Sequence, residues 1–139
     1  DAPPPAQLAA VHPLVDALKA DLPIDPDRVY LVGLSMGGYA VWELATRYPA
    51  SYAAAVPICG AGDPHHAARL THLPIWAFHG DADTVVPPER SKEVVAAIND
   101  AGGRAILTMY PGVGHGSWVP MFASQEAWDW LFAQRRTTT

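Results

Sequence analysis

Apolar and polar positions along this chain alternate in blocks that switch between helical and strand periodicity. Residues 6–22 have leucine and valine at helical spacing, which predicts an amphipathic helix with Pro13 as a kink or a late start. The stripe consists of Leu8, Val11, Val15, Leu18 and Leu22. Shorter apolar runs, rich in β-branched and aromatic residues, predict strands at 28–34, 52–60, 74–80 and 104–112.

Helical periodicity returns between and after these runs. We expect helices at 36–48, 87–103 and 120–134, and a loop with one helical turn at 61–72. Regular alternation of strand and helix implies parallel strands joined by right-handed crossovers. The predicted fold class is therefore α/β, a mainly parallel sheet with helices on both faces.

Length and composition favour one globular domain over residues 1–139. Half of the 139 residues are hydrophobic, enough for a core, whereas the acidic, proline-rich residues 1–5 are expected to be disordered. The chain starts without Met and without a signal-peptide pattern, so we expect a mature form, a processed form or an excised fragment. A single cysteine excludes an intrachain disulfide and leaves the compartment open.

The charge pattern limits the classes of partner. A net charge of −5 without a basic stripe argues against nucleic acid. Apolar runs all stay well below the roughly 20 residues that span a bilayer, so we expect no membrane partner. These features favour a small-molecule substrate.

The stretch VGLSMGGYA, residues 32–40, places a serine between glycines at a strand-to-helix junction. Such a tight turn lifts the side chain of Ser35 clear of the sheet, and Gly33 and Gly37 allow a close backbone approach. The helix begins directly after Ser35, so its unpaired N–H groups point towards whatever this residue attacks. Ser35 is thus a candidate nucleophile.

Other chemically active residues follow the later strands. In parallel sheets, active sites lie beyond the carboxyl ends of the strands. There the sequence has Asp81 and Asp83 after the third run and His115 after the fourth. Ser, Asp and His therefore come in the chain order of an α/β-hydrolase triad, with His115 as the base. Either aspartate could orient the histidine.

Three motifs, GLSMGGYAVWELATRYP, HGDADTVVP and YPGVGHGSW, resemble the α/β-hydrolase superfamily. More narrowly, they are similar to its carboxylesterase, polyhydroxybutyrate-depolymerase and feruloyl-esterase-like group, whose members are often labelled predicted peptidases. The resemblance covers nearly the whole chain. It implies Ser35 as nucleophile, His115 as base and, through the motif H-G-x-x-D-x-x-V-P, Asp83 rather than Asp81 as acid. It also implies a serine hydrolase of short-chain or aryl esters without a cofactor.

The resemblance also has a gap. Full-length members of the group have further strands before the nucleophile strand, and a loop there supplies one N–H of the oxyanion hole. In this chain only the Met36 N–H can be assigned, so we expect weak activity. The run 28–34 becomes an edge strand, which predicts a homo-oligomer through this strand, or pairing with a separate N-terminal piece.

Further candidates carry open alternatives. Trp118 either lines the substrate pocket or covers the edge of the core. A histidine pair, His65 and His66, is a metal site or, more simply, a solvated loop. We expect His79 and Cys59 to be buried structural residues. Two other functions stay open, a non-catalytic or partner-dependent part of a larger hydrolase and a prolyl-oligopeptidase-like peptidase.

Overall fold

A computed structural model describes residues 3–137 of the chain. Within this range four parallel strands form one sheet in the order β1-β2-β3-β4, as the α/β prediction requires. The strands are β1 (Tyr30–Leu34), β2 (Ala54–Ile58), β3 (Trp76–Gly80) and β4 (Ile106–Tyr110). The helices are α1 (Ala6–Ala9), α2 (Val11–Asp21), α3 (Met36–Arg47), α4 (Glu89–Asp100), α5 (Trp118–Phe122) and α6 (Gln125–Ala133), with a 3₁₀ helix at Pro64–Leu70.

Two hydrophobic cores, one on each face of the sheet, hold the layers together. On one face α3 and α4 contribute Trp42 and Ile98, which pack with Ala55 of β2. On the other face Met121 and Leu131 from α5 and α6 pack with alternate residues of β2 and β3. Every residue of β2 is buried, as expected of a central parallel strand covered on both sides. The prediction of helices on both faces is thus confirmed.

Two predicted helices are interrupted. The expected helix 6–22 breaks at Ala10 because Pro13 has no N–H for the carbonyl of Ala9, and it sits in the first turn of α2, where it is tolerated. The expected helix 120–134 is also two helices. Ser124 separates α5 from α6, and its hydroxyl accepts a hydrogen bond from the Ala127 N–H at 3.3 Å as an N-cap.

The remaining early predictions have mixed outcomes. Of the stripe on 6–22, Leu8, Val11 and Val15 pack against the first core, but Leu18 and Leu22 are exposed. Residues 1 and 2 lie outside the described range, so disorder over 1–5 stays a prediction, as does the single-domain boundary. Between residues 3 and 137 no helix combines the length and apolar character needed to cross a membrane.

Strand β1 lies at one edge of the sheet. In the described part of the chain it pairs with β2 alone, from Tyr30 opposite Ala54 to Leu34 opposite Ile58. Val32, in the middle of the strand, is exposed. The predicted edge position is therefore confirmed, and its unpaired backbone groups are available to a further strand.

We propose that this edge drives self-association. The weight-average mass from light scattering is expected to rise above the monomer mass with concentration, and Val32→Lys should hold the chain at the monomer mass, because a lysine blocks edge pairing. Ile106→Lys, on the exposed start of β4 at the opposite edge, is the matched control and should behave like the parent. A parent chain that is monomeric at every concentration would contradict the proposal.

Candidate active site

Ser35 occupies a strained turn between β1 and α3. Its backbone has φ 53° and ψ −116°, a conformation that costs free energy in any residue but glycine. The Ser35 N–H donates to the Ile58 carbonyl at 2.9 Å and fixes the turn to the end of β2. At Gly33 a Cβ atom would overlap the carbonyl oxygen of Gly37, so the predicted close approach is present there. The turn matches a nucleophile elbow.

The close backbone approach that the sequence predicts at Gly37 is found at a different residue. Apart from its chain neighbours and the backbone of its own helix, a Cβ at Gly37 would meet no atom of residues 3–137 within 4 Å. The tight contact is one residue later, where a Cβ at Gly38 would lie 2.5 Å from the Ile58 carbonyl oxygen. Gly60 completes this contact from the other side, since a Cβ there would lie 2.5 Å from the carbonyl carbon of Gly38. The two glycines therefore seat the start of α3 against the end of β2.

Three predicted side chains meet at the carboxyl edge of the sheet. Ser35 Oγ lies 2.8 Å from His115 Nε2, and His115 Nδ1 lies 2.9 Å from Asp83 Oδ2. The carboxylate can only accept, so Nδ1 of His115 carries the hydrogen and Nε2 is free to accept from the serine hydroxyl. The Asp83 side chain is fully buried, whereas that of His115 is 22% exposed. This arrangement can transfer a proton from Ser35 to His115.

Hydrogen bonds from its own turn and from His115 favour the ionised form of Asp83. Burial alone would raise the pKa of Asp83, but hydrogen bonds from His115, Val86 and Val85 outweigh it and hold the pKa below its usual range. The two backbone N–H groups donate to Oδ1 at 2.9 Å each. Oδ2 accepts the hydrogen bond from His115, which suits a carboxylate that stabilises an imidazolium.

The other aspartate, Asp81, has a different partner. Its Oδ1 accepts a hydrogen bond from the Gly112 N–H at 2.7 Å. Next to it, the Ala82 N–H donates to the Val113 carbonyl at 2.9 Å. Asp81 therefore ties the turn after β3 to the loop that carries His115.

Two further candidates lie beside these residues. Met36 is the first residue of α3, so its N–H has no acceptor one turn earlier within the helix, and it sits at the positive end of the helix dipole. Trp118 begins α5, and its ring stands edge-on to that of His115 with centroids 5.7 Å apart. It also packs against the second core, so contact of Trp118 with substrate stays a prediction.

The remaining candidates have local partners. His65 and His66 lie 3.0 and 3.6 Å from the carboxylate of Asp63, and the side chain of His65 is 89% exposed, which favours the solvated loop. Cys59 is buried with φ 42°. Its sulfur lies within 4.8 Å of ligand atoms of Asp83 and His115, a grouping that could hold a metal ion. Burial raises the pKa of the Cys59 thiol, and the other two residues already bond each other, so packing is the simpler role.

Comparison with known proteins gives concordant results. Poly(3-hydroxyalkanoate) depolymerase C of Paucimonas lemoignei is 42% identical over 59 residues, which are 42% of this chain and 14% of the depolymerase. The structure of a thermostable esterase can be superimposed on 96% of this chain, with 40% identity and a TM-score of 0.93. The match covers 38% of the esterase chain. The structure of esterase PE8 can be superimposed on 91% of this chain, with 28% identity and a TM-score of 0.67. The match covers 59% of the PE8 chain.

This chain therefore spans less than two thirds of each of these relatives. The family-level match is broader, since the profile of the dienelactone hydrolase family covers residues 6–127. This range includes β1 to β4 and the loops that carry Ser35, Asp83 and His115. The chain belongs to the dienelactone hydrolase family of the α/β-hydrolase superfamily.

Proposed function

We propose that this chain carries the catalytic centre of a serine esterase that hydrolyses short-chain or aryl carboxylic esters. One observation carries the proposal, the continuous hydrogen-bonded path from Ser35 Oγ through both nitrogens of His115 to Asp83. The esterase and depolymerase relatives support the same class of reaction.

In this proposal Ser35 Oγ attacks the carbonyl carbon of the ester while Nε2 of His115 takes the hydroxyl proton. Asp83 stabilises the imidazolium, and the Met36 N–H donates to the oxyanion of the tetrahedral intermediate. The bond from carbon to the alkoxy oxygen then breaks, and His115 gives its proton to the departing alcohol. Water, activated by the same histidine, hydrolyses the acyl-enzyme and restores Ser35.

A second candidate function is a partner-dependent part of a larger hydrolase. It is favoured by the coverage, since the chain spans 38% of the thermostable esterase. Loss of one oxyanion donor costs about 10²–10³ in rate. We propose that a segment paired with β1, from the same enzyme or from a second copy, supplies the donor that complements Met36.

A fluorophosphonate probe read by intact mass tests the proposed nucleophile. We expect one adduct on the parent chain, because His115 activates Ser35, and no adduct on Ser35→Ala. Ser51→Ala removes a serine from the turn before β2 and should be labelled like the parent.

Two outcomes would contradict the proposal: no adduct on a folded parent chain, or equal labelling of Ser35→Ala. If the labelled chain cleaves peptide amides but not aryl esters, the peptidase alternative replaces the esterase.

A further inference from the structure

A second histidine, His79, contacts the aspartate of the proposed triad. It lies near the end of β3, and its side chain is fully buried. Nδ1 of His79 lies 2.7 Å from Ser91 Oγ on α4, and Nε2 lies 2.8 Å from the carbonyl oxygen of Val86. The same Nε2 is 3.2 Å from Oδ2 of Asp83. Both ring nitrogens therefore have partners. One of these partners is the carboxylate of Asp83, the acid of the proposed triad.

These partners determine which nitrogen carries the hydrogen. The carbonyl oxygen of Val86 can only accept, so Nε2 of His79 must donate. In the neutral ring Nδ1 then accepts, and the hydroxyl of Ser91 supplies the hydrogen. Ser91 thus favours the tautomer whose Nε2–H donates to the Val86 carbonyl, with Oδ2 of Asp83 as a second, longer neighbour of that nitrogen.

Each oxygen of the Asp83 carboxylate consequently has two nitrogen neighbours. Oδ1 receives the N–H groups of Val85 and Val86, and Oδ2 lies between the rings of His115 and His79. A carboxylate held on all sides cannot rotate without breaking buried hydrogen bonds, which is costly away from water. The position of Oδ2 relative to His115 is therefore fixed in part by His79.

We propose that His79 is a positioning residue, which holds Oδ2 of Asp83 in place for His115 by keeping an N–H group beside it. The proposal rests on the proposed esterase function, because it assigns His79 to the same proton path. His79 acts through Asp83 and does not itself touch the substrate.

A matched pair of substitutions separates the two nitrogens. Asparagine places its amide near the position of Nδ1, and glutamine places its amide nitrogen near that of Nε2. The rate of fluorophosphonate labelling at Ser35 is expected to fall about tenfold in His79→Asn, which removes the N–H group beside the charged Oδ2 of Asp83. His79→Gln keeps a donor there and should stay within about twofold of the parent.

A spectroscopic measurement distinguishes positioning from a merely structural role. The ¹⁵N chemical shift of Nδ1 of His115, read through its carbon-bound ring protons, reports the bond to Asp83. It is expected to move in His79→Asn and to return to the parent value in His79→Gln. An unchanged shift and labelling rate in folded His79→Asn would overturn the proposal.

Two controls complete the test. If His79→Asn does not fold, the ¹⁵N shift of Nε2 of His79 is measured in Asp83→Asn, and it must differ from the parent for the proposal to stand. A folded but unlabelled parent would refute the esterase function alone, since the His115 shift is still measured in that chain and decides the role of His79.

Discussion

Replacement of His115 by alanine is expected to lower kcat for an aryl acetate by about 10⁶-fold. Ser35 is a weak nucleophile near neutral pH, and His115 Nε2, 2.8 Å from its Oγ, is the base that the site provides. In the proposed mechanism the same histidine protonates the leaving alcohol, so both half-reactions would lose their proton carrier. Release of the phenolate, followed by absorbance, measures the rate.

The matched control for this substitution is His72→Ala. His72 is exposed and lies in the segment before β3, away from the carboxyl edge of the sheet. It should keep the parent rate. If His115→Ala retained more than a tenth of the parent rate, the serine would have another base, and the proposed mechanism would be wrong.

The second large effect is expected from Asp83→Asn, with a loss of about 10⁴-fold in kcat. The amide keeps the size of the carboxylate, but its NH₂ group can donate to Nδ1 of His115. That contact favours the tautomer with hydrogen on Nε2, which cannot accept the proton of Ser35. The steady-state rate on the same aryl acetate gives the measurement.

Asp81→Asn is the companion variant, since it makes the same chemical change two residues away. Its amide oxygen can still accept the Gly112 N–H, so the loop that carries His115 should stay in place. We expect less than about a tenfold loss, because the change leaves the bond between Asp83 and His115 intact. Equal losses in the two variants would argue against the distinct role of Asp83.

Strand periodicity and chain order were sufficient to predict the sheet and the residues at its edge. Ser35 and His115 each follow a strongly apolar run, and parallel strands bring such positions together. The choice between Asp81 and Asp83 needed the family motif, because the residues differ only in the turn they occupy. In the structure Asp83 accepts the N–H groups of its own turn, whereas Asp81 reaches the loop after β4.

Other features lay beyond the pattern of the sequence. The contact between Gly38 and Gly60 joins residues whose approach depends on how α3 sits on β2. The spacing around Ser35 points to Gly37, so it did not indicate Gly38. The break at Ser124 lies inside the predicted helix 120–134, because the apolar periodicity continues through it. The contact of His79 with Asp83 depends on the shape of a turn, which periodicity does not encode.

The three side chains of the proposed triad all come from loops between residues 35 and 115, and Asp81 ties two of those loops together. For protein engineering, this means that the three side chains can be moved together as one segment of the chain. A recombination point upstream of Tyr30 would exchange whatever precedes β1 and leave the proton path in one piece. Chimeric libraries with crossovers at that point would therefore vary the segment beside β1, including the proposed second oxyanion donor, while the path from Ser35 to Asp83 stays unchanged.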